Sequence, residues 1–191
     1  MSFTDLYLAI YRRPLSDILL AMLFLCVLWT FLRFVCTLHP ASARAWMWIN
    51  RVLCVCSVLG VLLITVFSRD GSSKGISFEL FRLPEEQGPR EEYPRMLLMN
   101  AFLFVPLGMS LGSSWTQKTS VYRCILYTVL GGFAVTFFCE LLQLIFGLGT
   151  MEADDLVMNL AGVLLGMTHL PAAYVVRYLI ARVMKREIPA S

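Results

Sequence analysis

The stretch "FFCELLQLIFGLGTMEADDLVMNLAG", residues 137–162, decides what kind of molecule this is. An apolar run carries one carboxylate and one carboxamide and stops at a glycine-containing turn. Three acids then open a second apolar run. Neither run alternates polar with apolar, and each extends, within the full sequence, to helical length. Two apolar helices meeting at a tight turn, with Glu140, Gln143, Glu152, Asp154, Asp155 and Asn159 gathered at the joint, describe neighbouring membrane spans whose polar faces meet at one surface.

Composition agrees with that local reading. The chain has 191 residues, 58% hydrophobic and 15% charged, too apolar for a domain of this length to keep its surface in water. The apolar runs lack the sustained alternation of a barrel, so the expected fold class is all-α, a polytopic membrane helical bundle. Spans are expected at roughly residues 15–38, 50–67, 96–111, 121–146 and 156–176, five in all, within a single integral membrane domain covering residues 1–191. The third is short and contains Asn100, Pro106 and Gly108, so a helix kinked at Pro106, with its polar position facing protein, is expected there. His169 and Pro171 interrupt the fifth, and His169 reads as a packing or kink residue. The first apolar run is too long for a signal-peptide core and is expected to be a permanent span.

Five spans put the termini on opposite sides. Arg33, Arg44, Arg51, Lys118, Arg123, Arg177, Arg182, Lys185 and Arg186 then share one side with a single acid, Glu187. The other side mixes fewer basic residues with most of the acids. The excess of Lys and Arg predicts that the first side is cytoplasmic, with the amino terminus outside and a basic cytoplasmic tail at residues 177–191. The acidic joint and the longer loop from Ser68 to Arg95 are then extracytoplasmic. That loop contains "ISFELFRLPEEQGPREEYP", residues 76–94, whose first half reads either as a piece that dips apolar side chains into the bilayer or as a short solvated hairpin.

Some chemistries are excluded early. Cys26, Cys36, Cys54, Cys56, Cys124 and Cys139 lie in or near apolar runs without zinc-ligand spacing, and there is no phosphate-binding glycine loop, nucleophile elbow or HExxH. What remains is the acidic joint. Glu140 and Gln143 are three residues apart and share a helix face; Asp155 and Asn159 are four apart and do the same. Asp154 is placed to cap the following helix. A carboxylate alone in hydrocarbon costs at least ~2.5 kcal/mol, so Glu140 needs a partner, a proton or a hydrated cavity, and Asn100 is one candidate partner. Two roles fit this set: an interhelical hydrogen-bond network that only holds the bundle together, or a working site. The "GVLLG" of Gly162 to Gly166, with Gly131 and Gly132, predicts close helix approach within the bundle.

Taken together, "NAFLFVPLG" at residues 100–108, "ELLQ" at 140–143 and "EADDLVMNLAGVLLG" at 152–166 resemble the VanZ-like family of membrane proteins in content, order and spacing. The "SR" of Ser68 and Arg69 is similar to that family's arginine before its outer loop. The resemblance covers residues 52–168 as a core, leaving residues 1–51 as an additional amino-terminal span and loop. One departure is "GTMEADD" at residues 149–155, where the family tends to carry an arginine and an aspartate ahead of the Asp-Asp pair and this chain has Glu152 in the acidic place. The resemblance implies a bacterial cytoplasmic membrane and a part in resistance to teicoplanin and related lipoglycopeptides at the cell envelope.

Two functions of different class follow. In one, a non-enzymatic envelope protein binds a lipid, a lipid-linked cell-wall intermediate or the lipoglycopeptide, with Arg69, Asn100, Gln143 and Asn159 as binding residues and no role for nucleic acid. In the other, an intramembrane enzyme acts on a lipid-linked or phosphorylated envelope substrate. Glu140 and Asp155 would then be catalytic, and Glu152, Asp154 and Asp155 would hold a divalent cation such as Mg²⁺, which favours all-oxygen ligands.

Overall fold

The computed structural model describes residues 14–38, 42–66, 74–78, 80, 92–116, 119–172, 175, 178, 179 and 182. These form five helices and two short strands: α1 (Leu15–Leu38), α2 (Ser42–Thr65), β1 (Lys74–Ser77), α3 (Glu92–Thr116), α4 (Val121–Phe146), β2 (Gly149–Glu152) and α5 (Ala153–Met167). The first four helices are long and apolar enough to cross a membrane, which establishes a helical membrane bundle. α5 has 15 residues and is followed by a turn at Thr168, after which His169 to Ala172 are helical again. The interruption expected at His169 therefore falls one residue earlier.

The third helix departs most from expectation. It runs for 25 residues with Pro106 inside it, and begins and ends well outside residues 96–111. Tyr93, Pro94 and Arg95 look like loop in the sequence, yet Pro is well tolerated in a first helical turn, where its missing N–H has no partner to lose. α3 is also the central helix. Just over half of its spanning stretch is buried, 56% against 11–28% for the other three, and it packs on every other helix. α2 likewise starts earlier than residue 50, at Ser42.

The tightest packing joins α3 to α5. A Cβ added to Gly162 would lie 2.0 Å from the Ala101 carbonyl oxygen, one on Gly166 2.2 Å from that of Val105, and one on Gly108 2.1 Å from that of Val163. Only a hydrogen fits at these positions, so the two backbones touch along a seam and the GxxxG serves the bundle's interior. Around the seam, Val61, Phe104, Leu107, Cys139 and Val163 form one apolar cluster. Met22, Trp29, Trp46, Val105 and Met109 form another, with the Trp29 and Trp46 rings 4.7 Å apart.

α4 is patterned inside out. Its buried face is Cys124, Thr128, Gly132, Thr136, Cys139, Glu140 and Gln143, a stripe of small and polar residues at spacings of three and four, while Leu130, Phe133, Phe138 and Ile145 face outward. Large apolar residues belong on the lipid side of such a helix, and polar ones where other helices can satisfy them. The helix stops at Gly147, whose φ of 68° places it in the left-handed region glycine favours. There Gly147 N donates to Leu144 O at 3.3 Å and Leu148 N to Gln143 O at 2.8 Å, which is the Schellman pattern and turns the chain directly into β2.

β2 pairs in parallel with β1, in the register Gly75 opposite Thr150, Ile76 opposite Met151 and Ser77 opposite Glu152. The start of the long loop is thus a strand tied to the acidic joint. Ile76, Phe78 and Leu80 are exposed there, Phe78 at 81%. Phe81, Leu83, Ser68 and Arg69 lie outside the described residues. Cys26, Cys54, Cys56, Cys124 and Cys139 are free thiols.

Candidate functional site

The end of the bundle where α4 stops and α3 and α5 begin gathers most of the polar residues singled out above. Glu140, Gln143, Asp154, Asp155 and Asn159 are all buried, none more than 4% exposed. Each is placed by a local feature of the chain. Glu140 and Gln143 are the last members of the polar stripe on α4. The tight turn after Gly147 and the four residues of β2 then bring Asp154 and Asp155 into the first turn of α5, beside α3.

The hydrogen bonds across this end run between helices. Asn100 Nδ2 donates to Asp155 Oδ1, and Tyr93 O–H donates to Asp154 Oδ2, so both aspartates are held by donors on α3. Asn159 Nδ2 donates to Thr136 Oγ1 on α4 at 2.6 Å. Gln143 Nε2 donates to the Thr65 carbonyl oxygen at the end of α2 at 3.1 Å. All four long helices or their ends except α1 are therefore clamped to α5 or α4 at this end.

Two expectations are corrected by this geometry. Asp154 is not the N-cap: α5 begins at Ala153, Glu152 occupies the cap position without a side-chain cap bond, and the Asp154 carboxylate turns to Tyr93. Both aspartates sit instead in the first turn, where negative charge is favoured by the exposed N–H groups of the helix start. Asn100 donates to Asp155, where the sequence suggested Glu140. Asp154 and Asp155 are adjacent on the helix, so they point about 100° apart to different donors, and among the described residues no three His, Cys, Asp or Glu side chains are grouped to hold a metal ion. Arg69 lies outside the described residues.

Tyr93 and Thr136 are site residues that the sequence reading missed. Signals for both exist: Tyr93 is seven residues before Asn100 and so on the same face of α3, and Thr136 is four before Glu140 on α4.

A second polar cluster occupies the opposite end. His169 Nδ1 donates to the Gly166 carbonyl oxygen at 2.7 Å. A carbonyl only accepts, so Nδ1 carries the proton and Nε2 carries a lone pair. That lone pair faces Ser113 Oγ at 2.9 Å and Arg33 Nη1 at 3.2 Å, and Trp29 Nε1 donates to Ser113 Oγ at 3.3 Å. Nearby, Asn50 Nδ2 donates to the Ser110 carbonyl oxygen at 2.9 Å. His169 thus joins α1, α3 and the segment after α5, a larger part than the kink residue expected of it.

Chemically, the first end is a cradle of acceptors, three buried carboxylates of which the two aspartates are met by a phenol and an amide. The motifs that build it, the Asn100 to Gly108 seam, the Glu140 to Gln143 stripe and the acid-led α5, are those that carry the family resemblance. A family model described as VanZ/LLP1 matches residues 15–176, taking in α1 as well as the part from residue 52 onward. No curated protein and no solved structure matches the chain. Since that match spans every helix of the bundle, the chain belongs to the VanZ/LLP1 family.

Proposed function

We propose that this membrane protein lowers susceptibility to teicoplanin and related lipoglycopeptides at a bacterial cell envelope, by binding its ligand at the carboxylate end of the bundle. In this reading that end faces outward and the basic tail faces the cytoplasm. The observation that carries it is the burial of Glu140, Asp154 and Asp155 at one end of the bundle, with both aspartates held by donors on α3. Buried carboxylates conserve acceptor strength and favour a ligand rich in N–H groups, such as a peptide or an amine, over a phosphorylated one.

The test is teicoplanin susceptibility of cells carrying the wild-type chain, Glu140→Gln or Asp155→Asn, with membrane levels of each measured in parallel. Resistance is expected to disappear in both variants at unchanged protein level. Equal resistance in all three would reduce the cluster to a structural network and overturn the proposal. A modified envelope lipid that appears with the wild-type chain and not with Asp155→Asn would replace binding by catalysis. Reporter fusions after Ser191 check the orientation, and activity only outside the cytoplasm would reverse it.

A further inference from the structure

The two short strands at the acidic end form a ribbon with unlike faces. Residues opposite each other in the register share a face, and neighbours along a strand point to opposite faces. Ile76 and Met151 are therefore on one face, which Phe78, one step beyond the end of β1, continues in the same alternation. The other face carries Thr150, Ser77 and Glu152. One side of the ribbon is apolar and the other polar.

The apolar side of β1 is the outward one. Ile76 is 54% exposed, Phe78 81% and Leu80 54%, whereas Gly75 and Ser77 between them are half-buried. A half-exposed strand in a water-soluble domain is patterned the other way, with its apolar residues turned to the core. β2 packs on the end of α4 and the start of α5, while β1 packs chiefly on β2, so β1 is the outer strand.

The ribbon's place in the bundle says what meets this side. β2 begins three residues after α4 ends at Phe146 and runs directly into α5 at Ala153. α4 has 26 residues, and at about 1.5 Å per residue it rises roughly 39 Å, more than the ~30 Å of a hydrocarbon core. The end of α4, and the ribbon with it, is at headgroup depth. The lipid-facing side of α4 stays apolar to its last turn, where Leu141, Ile145 and Phe146 are exposed, and Gly147, Leu148 and Gly149 add no charge between helix and ribbon. Apolar side chains presented at that depth sink into the boundary between headgroups and acyl chains.

We propose that the apolar side of the ribbon lies on the lipid bilayer, with Ile76 and Phe78 inserted at that boundary and Glu152 on the side turned away from lipid. The ribbon continues the lipid-facing surface of α4 and holds the mouth of the acidic end at the level of the membrane surface. Its partner is the bilayer itself, and the inference does not rest on the function of the buried carboxylates.

The test uses the full-length protein reconstituted in vesicles of phosphatidylethanolamine and phosphatidylglycerol. The photoreactive residue p-benzoylphenylalanine replaces Phe78, Ser77 or, as a lipid-facing reference, Leu130 on α4, and lipid adducts formed on illumination are read by mass spectrometry of the intact chain. Adduct at position 78 is expected to match that at position 130, and adduct at position 77, on the opposite face, to be about tenfold lower. Thr150, also on the polar face, takes the place of Ser77 if that variant does not fold. Little adduct at position 78 beside a strong signal at position 130 would put this side of the ribbon in water, cross-linked pairs of chains from position 78 would put a second copy on it, and equal adduct at positions 77 and 78 would remove its sidedness. Each of these would overturn the proposal.

Discussion

At one end of the bundle two buried aspartates accept hydrogen bonds from a phenol and an amide; at the other a neutral imidazole accepts from a guanidinium and faces a hydroxyl. Both clusters are interhelical, and both draw on α3 and on α5 or the residues that follow it. They differ in sign and in surroundings. The acids lie at helix starts and behind a strand pair, where charge is stabilised by the ends of helices. The imidazole and Arg33 lie beside an apolar groove open along α1. What separates them is the dry glycine seam of α3 and α5, so the bundle holds two polar sites at fixed spacing on a middle that tolerates no side chain at three glycines.

The largest expected effect therefore comes from the seam. Gly162→Leu drives a side chain into the Ala101 carbonyl, which as backbone of the central helix has nowhere to yield. A loss of about 3 kcal/mol or more is expected, the upper part of the range for overpacking. Thermal unfolding in detergent measures it, and resistance should fail with it. Resistance retained in a variant that has lost that stability would mean that the acidic end does not depend on the seam.

A smaller effect tests whether the ends are independent. His169→Phe keeps the ring volume and removes both nitrogens, leaving Ser113, Arg33 and the Gly166 carbonyl to find other partners. A cost of about 1–3 kcal/mol is expected from stranding buried polar groups. Asp155→Asn acts about 20 Å away, counting roughly 1.5 Å per residue along α5 and beyond. The double variant should lose the sum of the two single losses to within about 0.5 kcal/mol. A larger mismatch in unfolding free energy would mean that the seam transmits one end to the other.

The sequence made this comparison half visible. Spans with unbroken apolar runs were legible because length and hydropathy suffice for them, and Gly162, Gly166 and the polar pairs were legible because helical spacing places them on one face. The start of α3 was hidden by Tyr93, Pro94 and Arg95, which read as loop until their neighbours are known. Asp154 was misread as a cap because local spacing cannot see Tyr93, 61 residues earlier in the chain. The part played by His169 is less visible still, since its partner Arg33 is 136 residues away. The pairing of β1 with β2 depends on a register that only the folded bundle sets. In each case the missing information is a contact between segments whose own patterns are silent about it.

The smallest expected effect sits at the acidic end, in Tyr93→Phe. The change removes one hydroxyl, keeps the ring that packs at the start of α3, and leaves Asp154 in the first turn of α5. Side-chain hydrogen bonds between membrane helices average about 0.6 kcal/mol, because the separated helices also find partners. A stability loss near that value is expected, with the bundle fully folded. Function should fall further than stability does if the donors on α3 orient the carboxylates for a ligand, since a rotated Asp154 no longer presents the same acceptors. Susceptibility and unfolding measured on the same preparation separate the two. A loss of resistance in proportion to stability would make Tyr93 a strut, and the acidic end would then differ from the His169 end in charge alone.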